Sequence, residues 1–163
     1  MDSLEWEVSA LLRQARLTLG AVESATGGLI SHLITNVSGS SDYYKGSVTS
    51  YNNEAKINVI GVKESTLNQY GAVSEQVAEE MAVGGRRLLA VDICVADTGI
   101  AGPEGATPEK PVGLFYLGLS HKDGTYSRKH IFHGSREQNK HSAAEAALAW
   151  VKEYLKSKVK EER

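Results

Sequence analysis

Cysteine is almost missing from this chain: among 163 residues there is one, Cys94, set in the apolar run Val91 to Ala96. A single thiol excludes an internal disulfide and a cysteine metal cluster, and its apolar neighbours make it a core residue. Long apolar runs are missing as well. No stretch of 18 apolar residues occurs, and the opening residues Met1-Asp2-Ser3-Leu4-Glu5 are acidic where a secretory signal is basic, so a cytosolic (cytoplasmic) protein with no membrane partner is expected. There is no His-x-Glu, no pair of histidines at i and i+4 and no aspartate-rich loop, which leaves a metal site without support and predicts chemistry run with no metal and no cofactor. The hydrolase fingerprint Gly-x-Ser-x-Gly is absent too, and His32, His121, His130, His133 and His141 are scattered, so nothing nominates a Ser-His-Asp triad. Surplus positive charge is lacking: 18 basic against 20 acidic side chains give a formal charge of -2, which argues against general electrostatic binding of nucleic acid and for a small polar substrate.

What the chain does have is a 41% hydrophobic content, enough for one core, and no repeat or linker that would split residues 1–163 into more than one domain. Its organising stretch is Val22-Glu23-Ser24-Ala25-Thr26-Gly27-Gly28. The apolar run Leu17 to Val22 before it reads as a strand, and Leu29, Ile30, Leu33 and Ile34 after it repeat at helical spacing, so the stretch is a strand-to-helix turn. Gly27 and Gly28 let backbone N–H groups approach a ligand, and the positive helix end favours an anion or oxyanion. Ser24 is then placed to be a nucleophile, while the plain alternative makes Ser24 or Thr26 an N-cap.

In chain order, the stripe Leu4, Val8, Leu11, Leu12, Ala15 predicts a first helix, and residues 27–36 a second. Val37 to Asp42 read as a loop and Gly46 to Tyr51 as a strand delivering Tyr51 to the sheet's end. Asn52 and Asn53 suit a cap for a short helix, Glu54 to Ile60, carrying Lys56, and a further turn runs from Glu64 to Tyr70. Ser74 caps a long helix to Leu89 whose central Gly84-Gly85 costs about 1 kcal/mol per residue against alanine, a cost that close packing would offset. Val91 to Ala96 read as a strand covered on both faces, followed by the glycine-rich turn Asp97 to Gly105. Val112 to Ser120 and Thr125 to Phe132 form a hairpin about His121 to Gly124, and Arg136 opens a last helix ending in a solvated charged tail, 156–163. The order predicts one three-layer α/β/α domain with a mixed, mostly parallel sheet and a C-terminal β-hairpin.

With no histidine motif, lysine is the alternative base: burial can lower its pKa from about 10.4 far enough to accept a serine proton, and a tyrosine hydroxyl can pass that proton. Tyr51 and Lys56 could both face Ser24, although residues of these types are also met as packed tyrosines and solvated lysines.

The strings Glu23 to Gly28, Gly46 to Lys56, Tyr70-Gly71-Ala72-Val73-Ser74-Glu75, Thr98-Gly99-Ile100-Ala101-Gly102-Pro103 and Lys110-Pro111-Val112-Gly113 resemble the C-terminal domain family of the competence/damage-inducible protein CinA, over about residues 4–155. Stand-alone members of that family are nicotinamide mononucleotide amidohydrolases. The resemblance implies an α/β/α fold, a small-molecule nucleotide substrate and hydrolysis of its carboxamide to nicotinate mononucleotide and ammonia in pyridine nucleotide salvage. It matches the family's catalytic serine, tyrosine and lysine to Ser24, Tyr51 and Lys56. The N-terminal domain of full-length members, and the pyrophosphatase-type activity associated with it, is expected to be absent. Ala25 stands where many members have cysteine, Ser135 where the family reads aspartate in Gly-Asp-Arg, Lys140 where an arginine is frequent, and Ala106 where glycine is common.

The expected cycle has Lys56, assisted by Tyr51, deprotonating Ser24, with backbone N–H groups of Thr26, Gly27 and Gly28 on the oxyanion. The turn with Thr98, Gly99 and Gly102 would border the same pocket, Arg136 with Lys140 behind it would bind the phosphate, and Glu23 would orient Lys56 or the ring cation, or be structural. A surface ion pair is the plain alternative for Arg136. The rivals to this reading are an amidase acting on a related carboxamide and a nucleotide-binding or regulatory module of the same fold without turnover. A homo-oligomer suits a small metabolic enzyme.

Overall fold

A computed structural model describes residues 3–161. In chain order the elements are α1 (Leu4–Ala15), β1 (Leu19–Glu23), α2 (Leu29–Thr35), β2 (Tyr44–Thr49), α3 (Asn53–Ala55), α4 (Glu64–Tyr70), α5 (Glu75–Leu89), β3 (Ile93–Gly99), β4 (Leu114–His121), β5 (Gly124–Ile131) and α6 (Arg136–Glu161). A π-helical turn, Lys56–Ile60, continues α3. The sheet has the order β2-β1-β3-β4-β5. β1 pairs in parallel with β2 and β3, while β4 is antiparallel to both β3 and β5, so β4 alone of the five strands runs against the rest.

Period-two alternation divides each central strand between two apolar layers. Leu19 and Ala21 of β1 join Ile93 and Val95 of β3 under α1, α2 and α6, where Leu12, Ile30, Leu148 and Val151 cover them. Val22, Cys94 and Ala96 face the other way, against Val77, Met81 and Ala82 of α5 and Ile60 of the π turn. Both faces of β1 and β3 are therefore buried, which explains their near-continuous apolar sequence. Cys94 lies fully inside this second layer, and burial pushes its thiol up to about 12.

The expected caps are present: Asn52 Oδ1 accepts the Ala55 amide at 2.8 Å and Ser74 Oγ that of Val77 at 3.3 Å. At α6, Ser135 and Gln138 form a reciprocal capping box, each side chain accepting the other's amide. Strand limits move by about two residues from those read off apolarity, because pairing rather than hydrophobicity ends a strand. β2 thus stops at Thr49, and Tyr51 stands beyond it, 60% exposed. The charged tail is helical as far as Glu161, yet it is more than a solvated end. Lys158 forms an ion pair with Asp123 at 2.6 Å, tying α6 to the hairpin turn, while residues 162–163 lie outside the described residues.

The glycine pair in α5 is a contact requirement. A Cβ on Gly84 would stand 2.1 Å from Ile60 O, and one on Gly85 would stand 2.2 Å from Val22 Cγ2 and 2.7 Å from Cys94 Sγ. Gly85→Ala would gain about 1 kcal/mol of helix propensity but incur an overpacking cost of about 1–3 kcal/mol. Urea denaturation is expected to show a lower midpoint for this variant, and a raised midpoint would mean that the helix can stand off from β1 without loss.

Candidate active site

The site sits where chain order reverses. From β1 the chain crosses to β2 on one side and later returns to β3 on the other, so the C-terminal ends of β1 and β3 open a crevice between them. Register decides what fills it. Val22 lies beside Ala96, so the next rung brings Glu23 beside Asp97, both on the α2/α6 face and both 0% exposed. The Glu23 carboxylate accepts the amides of Gly28 at 3.2 Å, Ile30 at 2.8 Å and Ser31 at 3.1 Å, neutralising the positive end of α2. Asp97 accepts the amides of Ser24 at 3.0 Å and Thr26 at 3.2 Å. The Thr26 hydroxyl lies between the two acids, 2.6 Å from Glu23 Oε1 and hydrogen-bonded to Asp97 Oδ1. Burial, with the Glu23 charge adding to it, raises Asp97 above its ordinary carboxyl value. The turn bends through Gly27 and Gly28, whose φ of 60° and 104° lie in the left-handed region that glycine tolerates.

Lys56, on the first turn after α3, is only 1% exposed. Its Nζ lies 2.9 Å from Ser24 Oγ, 2.8 Å from the Ser50 carbonyl and 3.1 Å from the Tyr51 carbonyl. The Ser50 amide donates to the Glu23 carbonyl at 2.9 Å, which pins this segment to the end of β1. Carbonyls only accept, so a neutral amine spends its two N–H groups on Ser50 and Tyr51 and turns its lone pair toward the Ser24 hydroxyl. Burial lowers the Lys56 pKa from its ordinary value, with the Asp97 charge opposing. The fold thus sets a serine hydroxyl directly against a buried lysine amine.

A cleft of about 290 Å³ opens over Ser24 and Lys56, lined also by Tyr51, Thr98, Gly99 and Arg136. Arg136 reaches across its mouth from α6, donating from Nη1 to the Gly102 carbonyl at 2.8 Å and from Nη2 to the Tyr51 hydroxyl at 3.1 Å. Thr98 Oγ1 holds the Ala72 carbonyl at 2.7 Å, and Gly99 lies flat on Phe115, whose ring would stand 2.4 Å from a Cβ there. A larger groove of about 540 Å³ between α4 and α5 is lined by Tyr70, Glu80, Val83 and Arg87 among others and brings no nucleophile and base together. Among the described residues, no group of three or more His, Cys, Asp or Glu is arranged to hold a metal ion.

Several expectations change. The Tyr51 hydroxyl does not bridge serine and lysine: these two touch directly, and Tyr51 gives Lys56 its carbonyl while its exposed ring turns to Arg136. The amides of Thr26, Gly27 and Gly28 are taken by Asp97, the Ser24 carbonyl and Glu23, so they do not form the oxyanion hole. Those residues line a separate cleft with His32, Lys140 and His141, which removes Lys140 from the position behind Arg136. Glu23 caps α2 and orients neither Lys56 nor a ligand. Sequence reasoning missed Asp97 and the Ser50 carbonyl. Asp97 had a signal, an acid closing an apolar strand run; a backbone carbonyl has none.

Residues 1–155 match the family model of the CinA C-terminal domain. The chain belongs to that family. Its similarity to a CinA-like protein of Salinibacter ruber is 49% identity over 146 residues, 90% of this chain and 35% of that one. A CinA-like protein of Thermotoga neapolitana is 43% identical over 157 residues, 96% of this chain and 38% of its own length. The chain thus spans under two fifths of the length of these two relatives. Among solved structures, a CinA superfamily protein of Klebsiella pneumoniae superposes with a TM-score of 0.91 at 30% identity, covering 94% of this chain and 96% of that one. A competence/damage-inducible protein of Agrobacterium tumefaciens gives 0.86 at 32%, covering 93% and 94%. The three-layer fold with its mixed sheet is the CinA-superfamily fold, and no helix among the described residues of this CinA domain is long and apolar enough to cross a membrane.

Removal of the α2 cap tests the frame of the site. Glu23→Ala would leave the amides of Gly28, Ile30 and Ser31 without their acceptor, at a cost of about 3 kcal/mol or more. Chemical denaturation is expected to show that loss at neutral pH, and a loss below ~1 kcal/mol would mean that the turn does not depend on Glu23.

Proposed function

We propose that this CinA domain is an amidohydrolase that converts nicotinamide mononucleotide to nicotinate mononucleotide and ammonia. The observation that carries the reading is the Lys56–Ser24 contact at 2.9 Å, in which a lysine held by two carbonyls has nowhere to direct its lone pair but the serine. Lys56 takes the Ser24 proton as Oγ bonds to the carboxamide carbon, then gives that proton to the departing nitrogen, which leaves as ammonia. Water, deprotonated by Lys56, cleaves the acyl-enzyme and restores Ser24. The amide of Ala25, which follows the serine and lines the same cleft, is the donor assigned to the oxyanion.

The nucleotide as substrate is supported by the family resemblance and by Arg136. Two of the five guanidinium N–H groups are engaged with Gly102 and Tyr51, and the others remain for a phosphate at the cleft mouth. Ser135 supports this placement by capping α6, which fixes the helix turn from which Arg136 projects.

Ammonia release from nicotinamide mononucleotide by the purified protein is the direct test, and its absence with folded protein would remove the proposal. Ser24→Ala and Lys56→Ala are each expected to cost about 10³-fold or more in kcat, with the double variant little worse than either, because one catalytic unit is lost once. Lys56→Arg is expected to fail as well, since arginine keeps the charge but not the exchangeable proton. Tyr51→Phe leaves the lysine's backbone acceptor in place and is expected to cost far less than Lys56→Ala. Arg136→Ala is expected to raise KM for the nucleotide roughly ten- to hundredfold, the equivalent of a charge-assisted hydrogen bond, and nicotinamide riboside to be a poor substrate of the unaltered protein. Equal handling of riboside and nucleotide would take the phosphate away from Arg136.

A further inference from the structure

Thr26 Oγ1 makes two hydrogen bonds, to Glu23 Oε1 and to Asp97 Oδ1, and owns one hydrogen. If both acids were ionised, one of these contacts would set lone pair against lone pair in a site that water does not reach. A second hydrogen, carried by one of the carboxyls, removes that conflict. Glu23 Oε1 already accepts two amides, those of Gly28 and Ile30, at the positive end of α2, whereas Asp97 Oδ1 accepts only that of Ser24. The donors crowded on Glu23 Oε1 leave Asp97 Oδ1 as the better place for that hydrogen.

We propose that Glu23, Thr26 and Asp97 form a proton-holding chain beneath Ser24, in which the Asp97 carboxyl donates to Thr26 and Thr26 to Glu23 Oε1, and that Asp97 thereby acts as a positioning residue that leaves Lys56 free to accept the serine proton. The charged groups around Asp97 are few. β1 brings Glu23, the π turn brings Lys56 and the N-terminal part of α6 brings Arg136 and Lys140 to the neighbouring clefts, while β4 sets Leu117 opposite. Asp97 and Lys56 can hold one proton between them in two ways. With the proton on Asp97 both are neutral and Lys56 is a base; with it on Lys56 they are an ion pair and the base is blocked. No proton is gained or lost between these forms, and the Thr26–Glu23 chain favours the first.

The inference rests on the reading of Ser24 as nucleophile for its effect on reactivity, but the proton itself can be seen without turnover. In carbon-13 spectra of the whole protein, with the Asp97 carboxyl assigned by comparison with Asp97→Asn, that carbon is expected to report a neutral acid at about pH 7, where an ordinary aspartate is fully ionised. An ionised Asp97 at that pH overturns the proposal. Reactivity is read as the pH dependence of Ser24 sulfonylation by phenylmethanesulfonyl fluoride, followed by intact mass. Thr26→Val removes the acceptor of the Asp97 proton, so Asp97 ionises more readily, Lys56 is held protonated, and the acid limb is expected to move up by about one pH unit. Thr26→Ser is expected to keep the original midpoint. If Thr26 instead donated to an ionised Asp97, Thr26→Val would move the limb down, so a downward or absent shift also overturns the proposal. A Ser24 that reacts at no pH would overturn the nucleophile reading, and the carbon spectrum alone would then decide the proton.

Discussion

Two acids buried side by side, Glu23 and Asp97, hold the turn that carries Ser24. Parallel pairing of β1 with β3 puts them side by side, and neither reaches solvent. Isolated buried carboxyls would be costly, but here their oxygens meet five backbone amides and a threonine hydroxyl. The turn cannot adopt another course without leaving those acceptors unpaired, so the serine's position follows from the polar accounting around it.

The same economy explains the lysine. Burial shifts Lys56 toward its neutral form, with the Asp97 charge opposing. The acceptors that fix it are the carbonyls of Ser50 and Tyr51, released from ladder pairing because β2 ends at Thr49. Termination of an edge strand thus creates the lysine's binding site, and the π turn that starts at Lys56 aims its side chain back toward β1. The desolvation of this amine is supplied by the fold itself.

The two faces of the sheet have different tasks. Toward α5 the backbone comes so close that Gly84 and Gly85 have no room for a side chain, and this contact sets the height of the π turn over β1 through Ile60. Toward α6 the packing carries the cleft's rim: the capping box of Ser135 and Gln138 starts the helix, Asn139 donates to the Ala101 carbonyl at 3.0 Å and Arg136 reaches Gly102 and Tyr51. One helix end therefore ties the second glycine turn to the residue that follows β2. Its sequence difference from the family at Ser135 leaves this arrangement intact.

The sequence by itself determined the layered α/β order, the glycine turn with Ser24, the caps at Asn52 and Ser74, and the close packing implied by Gly84-Gly85. Each is a local matter of periodicity, side-chain reach to a nearby amide, or tolerated φ. It also nominated Lys56, through the family motif. Tertiary structure alone decided what these residues touch. The partnership of Glu23 with Asp97 spans 74 residues of sequence and depends on strand register, which no local pattern encodes. Of the oxyanion donors expected at Thr26 to Gly28, the amides of Thr26 and Gly28 were lost to those acids and that of Gly27 to the Ser24 carbonyl. Tyr51 was legible as a site residue but not in its part, because its carbonyl meets Lys56 while its hydroxyl meets Arg136, 85 residues away. Side-chain chemistry can be read in one dimension; which donor takes which acceptor is settled by the distances that folding creates.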